Sequence, residues 1–226
     1  MLNIQNLVVE YPDKTRAIDD ISFNIDSGDS CALLGLNGAG KTTLFMAVMG
    51  LIDIVSGSIN VDNIELSQKT IPDMRRKVGM IFQNPDDQLF MPRIYDDIAF
   101  GPRNYGHSEE EVKEKVLSTL ERLGIADLAY RSPLKLSGGE KRMAAIATVL
   151  VMNPKIIFLD EPTAFLDPRA RRRLIEVLNS IPQTKLIATH DLSFAKEVTH
   201  TSIILDSGKL ISIASTTDIV DEDFLL

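Results

Sequence analysis

The chain has 226 residues, 44% hydrophobic and 25% charged, a composition typical of a soluble globular protein with a substantial core. The net charge of −8, from 24 Lys and Arg against 32 Asp and Glu, argues against a nucleic-acid-binding protein. One cysteine excludes an internal disulfide, and we expect Cys31 to be a buried apolar residue. We expect no signal peptide or membrane span, since the longest apolar run is residues 144–152.

The N-terminal segments 2–11 and 17–25 alternate apolar and polar side chains. This pattern predicts two antiparallel strands joined by a turn at residues 12–14. Tyr11 closes the first strand. Its ring could stack on a nucleotide base or could be a half-buried tyrosine of the sheet, and the sequence leaves both possibilities open.

A glycine-rich loop at residues 35–43 follows a predicted buried strand over 31–34 and precedes a predicted helix over 44–49. This is the context of a P-loop, whose main-chain N–H groups bind phosphate at a helix N-terminus. We predict that Lys41 contacts the β- and γ-phosphates of a nucleoside triphosphate and that Thr42 coordinates Mg²⁺. The predicted nucleotide-binding residues of this loop are Asn37, Gly38, Ala39, Gly40, Lys41, Thr42 and Thr43.

A strand and turn are predicted over residues 57–63, and a short buried strand over 78–82. Gln83 follows the second strand directly. Ligands of open α/β sheets bind at the carboxyl ends of strands, so Gln83 could contact one. Taken alone, Gln83 is more simply interpreted as an ordinary polar loop residue.

Residues 94–100 and 108–123 predict two helices, the second opened by a capping box of Ser108 and Glu111. Apolar residues recur at helical spacing along the second helix, which predicts a buried face and a solvated charged face. We predict that this helical block, about residues 92–152, is inserted between strands of the P-loop core as a subdomain.

The sequence Leu-Ser-Gly-Gly-Glu ending at Glu140 opens a predicted helix over 141–152. A capping box of Ser137 and Glu140 explains the start of this helix, but not the consecutive Gly138 and Gly139, because glycine destabilises helices. Exposed N–H groups beside a serine hydroxyl predict a second anion-binding site. One triphosphate cannot easily occupy both sites of one chain if they lie on separate subdomains.

Residues 155–161 predict a buried parallel strand that ends in two carboxylates, the pattern of a Walker B element. We predict that Asp160 supports Mg²⁺ and that Glu161 polarises the attacking water. Asp167 and Pro168 predict the N-cap and first residue of the next helix, and the four arginines that follow predict a solvated face.

Residues 185–189 predict another buried strand, followed by His190. The carboxyl end of this strand should face the same crevice as the other strands, so we predict that His190 contacts the γ-phosphate. A hairpin is predicted over 202–213, and a short helical tail over 216–226.

These motifs, from the P-loop through Gln83, the Leu-Ser-Gly-Gly-Glu sequence and Glu161 to His190, resemble the nucleotide-binding subunits of ATP-binding-cassette (ABC) transporters. The resemblance covers essentially the whole chain. It implies one α/β ABC ATPase domain over residues 1–226, built on a P-loop NTPase core with a mixed central sheet. It also implies an N-terminal antiparallel β-subdomain from residues 1–34 and 56–66, and an inserted α-helical subdomain.

The family mechanism accounts for two anion-binding sites in one chain. Two chains, identical or paralogous, pair head to tail, and each ATP lies between the P-loop of one chain and residues 137–140 of the other. The nucleotide-binding residues implied in the second chain are Ser137, Gly138, Gly139 and Glu140. The other implied roles are adenine stacking by Tyr11, Mg²⁺ coordination by Thr42, Gln83 and Asp160, and catalysis by Lys41, Gln83, Glu161 and His190.

Two positions depart from the commonest family pattern. Glu140 replaces the usual glutamine, a familiar substitution that keeps the helix cap. Phe165 is bulkier than the small residue usual before Leu166 and Asp167, at a contact with the neighbouring subunit.

Residues 82–90 and 96–102 are similar to the ATPases of energy-coupling-factor importers and the related cobalt and nickel uptake systems. This implies that integral membrane transport subunits contact the chain near residues 83–105, at the cytoplasmic face of the cell membrane. The implied cargo is a transition metal, cobalt or nickel, or a vitamin, and no nucleic-acid partner is expected. Many of these ATPases carry a further C-terminal segment; ending at Leu226 suggests a short form of the metal-uptake type.

Two other functions remain open from the sequence. A soluble ABC ATPase that acts on a macromolecular complex would usually carry a second cassette, a coiled coil or a zinc-binding insertion, and none is evident. A P-loop kinase conflicts with the Leu-Ser-Gly-Gly-Glu sequence and lacks a lid for the phosphate acceptor.

Overall fold

The computed structural model describes residues 1–220, which form two compact units. The first unit contains residues 1–78, 155–161 and the chain from residue 182 onward. The second unit contains residues 79–154 and 162–181. The two predicted anion-binding segments therefore belong to different units of one chain.

The strands are β1 (Leu2–Glu10), β2 (Arg16–Ile25), β3 (Ser30–Leu34), β4 (Ser56–Val61), β5 (Ile64–Glu65), β6 (Val78–Ile81), β7 (Ile156–Asp160), β8 (Thr184–Thr189), β9 (Thr201–Asp206) and β10 (Lys209–Ser215). The α-helices are α1 (Lys41–Val48), α2 (Ile71–Lys77), α3 (Ile94–Asn104), α4 (Glu109–Arg122), α5 (Gly138–Leu150), α6 (Pro168–Ser180) and α7 (Leu192–Val198).

The first unit contains two sheets. An antiparallel sheet has the order β2-β1-β4-β5, with the predicted β1–β2 pairing confirmed. A mixed sheet runs β10-β9-β3-β8-β7, with β10 antiparallel and the other pairs parallel. The predicted α/β class with a mixed P-loop sheet and an N-terminal antiparallel sheet is therefore confirmed.

The central strands of the mixed sheet lie in the core of the first unit. Every residue of β3, β7 and β8 is buried, as expected for parallel strands covered on both faces. The ring of Phe45 in α1 stacks on that of Phe158 in β7 with 4.8 Å between centroids. This packing fixes the helix that follows the P-loop against the strand that ends in Asp160.

The second unit is mainly helical and contains α3, α4, α5 and α6. Both predicted capping boxes are confirmed, that of Ser108 and Glu111 on α4 and that of Ser137 and Glu140 on α5. Asp167 caps α6 as predicted, because its Oδ1 accepts from the main-chain N–H groups of residues 169 and 170.

Several element boundaries differ from the sequence prediction. Helix α1 starts at Lys41 instead of residue 44, because its first turn, Lys-Thr-Thr, is polar and carries no hydrophobic periodicity. Helices α2 and α7 were not predicted, since each has only seven residues and little periodicity. The predicted tail begins with a 3₁₀ turn at Thr216–Asp218, and its residues 221–226 lie outside the described part of the chain.

Arg173 is exposed, in agreement with the predicted solvated arginine face, but it also makes a tertiary contact. Its Nη2 donates to the main-chain oxygens of Leu123, at 2.6 Å, and Gly124, at 3.1 Å. These carbonyls lie at the end of α4, where main-chain acceptors have no partner within the helix. Arg173 therefore joins α6 to α4 by tertiary contacts that a charge pattern does not reveal.

Within residues 1–220, the helices are all too short or too polar to cross a membrane.

Cys31 is expected to be inert in the folded protein. It is 2% exposed, and burial, with a smaller effect from Asp29, raises the pKa of its thiol to about 12. Since only the thiolate reacts, alkylation by iodoacetamide at pH 8 should be at least ~100-fold slower than in urea-unfolded protein. Mass spectrometry of timed samples measures this ratio, and similar rates in both states would contradict the buried position.

Candidate functional site

Three parallel strands of the first unit end at the same edge of the mixed sheet. Leu34 of β3 is in register with Thr189 of β8, and Asp160 of β7 with Ala188 of β8. The P-loop, Glu161 and His190 follow these strands directly. The predicted residues of this unit are therefore brought together where α/β sheets bind ligands.

The P-loop backbone requires glycine at residue 40. Gly40 has φ of 103°, and a Cβ there would lie 2.5 Å from the main-chain oxygen of Ala17. Helix α1 begins at the next residue, so its first-turn N–H groups face the loop without partners inside the helix. This arrangement fits a phosphate group, which accepts such hydrogen bonds and is stabilised by the helix dipole.

Lys41 places a buried ammonium in the same loop. Its Nζ donates to the main-chain oxygens of Gly35, at 2.7 Å, and Leu36, at 3.1 Å. The same Nζ lies 3.6 Å from Oε1 of Glu161, and both side chains are less than a tenth exposed. A cation held this close to the loop is suited to neutralise phosphate charge in a water-poor environment.

Thr42 and Asp160 bring two hard oxygen donors together. The Thr42 hydroxyl donates to Oδ2 of Asp160 at 2.7 Å. Hydroxyl and carboxylate oxygens match the preference of Mg²⁺, which usually takes one or two protein carboxylates together with water and substrate phosphates. No cluster of three or more His, Cys, Asp or Glu suited to hold a metal occurs within residues 1–220.

Glu161 contacts two residues at the carboxyl end of β8. His190 Nδ1 lies 3.0 Å from Oε1 of Glu161, and the Thr189 hydroxyl donates to Oε2 at 3.3 Å. The main chain of Glu161 has φ of 41°, an uncommon value for a non-glycine residue, and its N–H donates to the oxygen of Ala188 at 2.9 Å. Strained backbone of this kind is frequent at functional sites.

Tyr11 belongs to the same unit and contacts the P-loop helix. Its hydroxyl lies 2.8 Å from Oγ1 of Thr43, and 38% of the residue is exposed. An aromatic ring is therefore fixed beside the nucleotide-binding loop, although adenine stacking stays a prediction.

The Leu-Ser-Gly-Gly-Glu sequence lies in the second unit at the start of α5. Oε2 of Glu140 accepts from the N–H and hydroxyl of Ser137, at 2.7 and 2.8 Å, and these bonds lower the pKa of the Glu140 carboxyl. A Cβ on Gly139 would lie 2.6 Å from Cβ of Ala170 in α6. Gly139 thus has a packing role that the sequence did not reveal, whereas Gly138 has room for a Cβ, 3.6 Å from its nearest neighbour.

Gln83 also belongs to the second unit, and its main chain is bound by a residue that the sequence analysis missed. Arg142 of α5 is 1% exposed and donates to the oxygens of Phe82 and Gln83, each at 2.6 Å. Helical spacing offered a signal, because Arg142, Ile146 and Val149 recur on one buried face of α5.

The segment similar to importer ATPases presents an aromatic surface. Phe90 and Phe100 are 63% and 42% exposed, and their rings contact edge to face with 5.2 Å between centroids. Asp97 orders the loop before α3, because its Oδ1 accepts from the N–H groups of Phe90 and Met91 at 2.9 Å. Burial raises the pKa of Asp97 despite these bonds.

The chain is similar to known proteins along nearly its whole length. The ABC transporter family matches residues 18–164. The energy-coupling factor transporter ATP-binding protein EcfA of Methanosphaera stadtmanae is 42% identical over 233 residues, covering 98% of this chain and 84% of that protein.

Two solved structures share the fold. The structure of cbiO1 from Clostridium perfringens, part of the ABC transporter complex cbiONQ, has a TM-score of 0.87 at 37% identity and covers 96% of this chain and 89% of its own. The ATP-binding cassette MJ0796, solved as a dimer in a post-hydrolysis state with ADP and Pi, has a TM-score of 0.84 at 25% identity, covering 96% and 99%.

Substitution of the two consecutive glycines should separate packing from backbone preference. Gly139→Ala should lower the free energy of unfolding by about 1–3 kcal/mol, because the added Cβ overlaps Ala170 across α5 and α6. Gly138→Ala is the matched control and should change it by less than about 0.5 kcal/mol. Urea denaturation of both variants measures the difference, and equal effects would show that the contact with Ala170 is not limiting.

Proposed function

Because the chain belongs to the ABC transporter family, as an ATP-binding and ATP-hydrolysing subunit, we propose that it is the motor of an energy-coupling-factor-type importer. The observation that carries the proposal is the meeting of Lys41, the Thr42–Asp160 pair and the Glu161–His190 pair at one sheet edge. The proposed cargo is a transition metal, cobalt or nickel, or a vitamin, which the membrane subunits bind.

In this proposal the P-loop of the first unit binds the phosphates of ATP. Residues 37–43 supply main-chain N–H groups and the ammonium of Lys41, and Tyr11 stacks on adenine. Glu161 accepts a proton from the attacking water, and His190, 3.0 Å from that carboxylate, contacts the γ-phosphate and holds Glu161 in place.

Mg²⁺ would be held by Thr42 and Asp160, whose oxygens are already adjacent. Bound there, the ion neutralises charge on the β- and γ-phosphate oxygens. Gln83 is a further predicted ligand of Mg²⁺, a role that is implied by the family resemblance. The protein contributes few charged ligands, so affinity for the ion should depend strongly on the nucleotide.

We propose that two chains, identical or paralogous, form the working dimer. Residues 137–140 of each chain would then contact the γ-phosphate of the ATP bound by the P-loop of the other. The MJ0796 dimer supports this arrangement by similarity. ATP binding would favour the closed dimer and hydrolysis its opening, because neither nucleotide site is complete in one chain.

We also propose that the chain is peripheral at the cytoplasmic face of the membrane and docks on membrane subunits through residues 83–105. The exposed pair of Phe90 and Phe100 supports this, since exposed aromatic patches mark protein contacts. The helical block over 92–152 is the proposed subdomain that carries this surface. Similarity to EcfA and to cbiO1 supports the importer type.

Replacement of Glu161 tests the proposed general base. Glu161→Gln should lower kcat for ATP hydrolysis by about 10²–10⁴-fold, because the amide cannot accept the proton, while ATP binding is retained and the dimer lives longer. Phosphate release and size-exclusion chromatography with MgATP measure both effects. Glu111→Gln, which changes a carboxylate in the α4 capping box, is the control. Unchanged turnover in Glu161→Gln would remove Glu161 from this role.

A pull-down tests the importer. Tagged Glu161→Gln protein is incubated with MgATP and detergent-solubilised native membranes, and bound proteins are identified by mass spectrometry. We expect integral membrane subunits, and recovery should fall at least ~10-fold with an added Phe90→Ser change, because hot-spot aromatics dominate interfaces. Ile211→Ser, at a residue 55% exposed on β10, is the control. Recovery of ribosomal or other soluble complexes alone would favour a non-transport ABC ATPase.

A further inference from the structure

Arg142 is the largest of the fully buried side chains, and the proposed chemistry does not use it. It lies in the second turn of α5, five residues after Ser137. Nη1 donates to the main-chain oxygen of Phe82 and Nη2 to that of Gln83, each at 2.6 Å. One guanidinium thus binds two consecutive main-chain carbonyls, the one before Gln83 and that of Gln83 itself.

A buried guanidinium is costly unless its donors are bound, so this position is not explained by general packing. An aliphatic residue at the same place on α5 would be simpler for the core. Arginine offers a rigid planar fork whose two Nη groups bind two acceptors in a fixed geometry, whereas the single ammonium of lysine is a flexible point charge. The geometry therefore fixes the orientation of the two peptides on either side of Gln83 relative to α5.

Two further contacts hold the rest of this loop against the same helix. Gln88 Oε1 accepts from the N–H of Phe82 at 3.3 Å, and its Nε2 donates to the oxygen of Ala145 at 3.0 Å and to Oγ1 of Thr148 at 2.7 Å. An ion pair joins Lys141 Nζ to Asp86 Oδ1 at 2.6 Å. The loop over 82–88 is thus bound to α5 along its length, with the guanidinium as its most buried contact.

We propose that Arg142 is a positioning residue that couples Gln83 to the Leu-Ser-Gly-Gly-Glu end of α5. Through it, the loop of Gln83 and residues 137–140 move as one body, so Gln83 reaches its working position only together with that helix. This inference rests on the proposed role of Gln83 in the nucleotide site. Loss of the guanidinium fork frees the peptide of Gln83 without removing its side chain.

The test is a double-mutant cycle on purified protein with MgATP. Arg142→Lys should lower kcat about tenfold, because a misplaced group slows the chemical step, and leave KM for ATP within about twofold. Arg142→Met should lower kcat further than Arg142→Lys does, because methionine has no hydrogen-bond donor. In a Gln83→Ala background, Arg142→Lys should cause no further loss of kcat.

Arg173→Lys is the matched control. Arg173 also donates to two consecutive main-chain oxygens in the same unit, but at the end of α4. Arg173→Lys should leave kcat within twofold, because Arg173 is exposed and the carbonyls it binds are not those of the Gln83 loop. If Arg142→Lys does not fold, Gln88→Met takes its place, with the same absence of further loss in the Gln83→Ala background.

The outcomes separate this inference from the function on which it rests. If kcat of the double variant falls by the product of the two single-variant factors, Arg142 does not act through Gln83. That result would overturn the inference and leave the role of Gln83 intact. An equal loss of kcat in Arg173→Lys would also overturn it, since general destabilisation would then suffice. Unchanged kcat in Gln83→Ala would overturn the proposed role of Gln83 and the inference with it.

Discussion

The parallel register of β3, β7 and β8 is the constraint on which the nucleotide-binding unit depends. Parallel strands point their carboxyl ends in one direction, so the residues that follow three separate segments of chain converge at one edge. The P-loop, Glu161 and His190 are up to 155 residues apart in sequence, from Gly35 to His190. Complete burial of these strands makes the edge rigid, and rigidity is what a charge-stabilising site requires.

Among residues 1–220, four of the six buried charged side chains lie in the nucleotide-binding motifs or on α5, the other two being Asp97 and Lys185. Lys41, Asp160 and Glu161 are almost completely buried at the sheet edge, and Arg142 is buried in the second unit. Desolvation of each charged group is costly, and contacts with nearby polar groups of the protein offset this cost in place of water. The same partners orient them, so one set of contacts serves both folding and chemistry.

Helix α5 combines three tasks in the second unit. Its first turn carries the capping box that places the Ser137 hydroxyl, its Gly139 allows close approach of α6, and its Arg142 binds the loop of Gln83. The capping box, Gly139 and Arg142 therefore each have a separate structural role, although they lie within six residues of one another. The family relationship explains why such a segment exists, and the contacts explain why its residues are of these types.

The sequence by itself determined the local elements and the chemistry of the motifs. Hydrophobic period, glycine spacing and capping residues predicted β1, β2, the P-loop, both capping boxes and the Asp167 cap, because these depend on neighbours within a few residues. Tertiary structure alone decided the partners of Arg142, the contact between Gly139 and Ala170, and the bonds of Arg173 to the end of α4. Those contacts join residues about 30 to 60 positions apart, and a local pattern carries no information on which distant carbonyl or methyl group will face a side chain once the chain has folded.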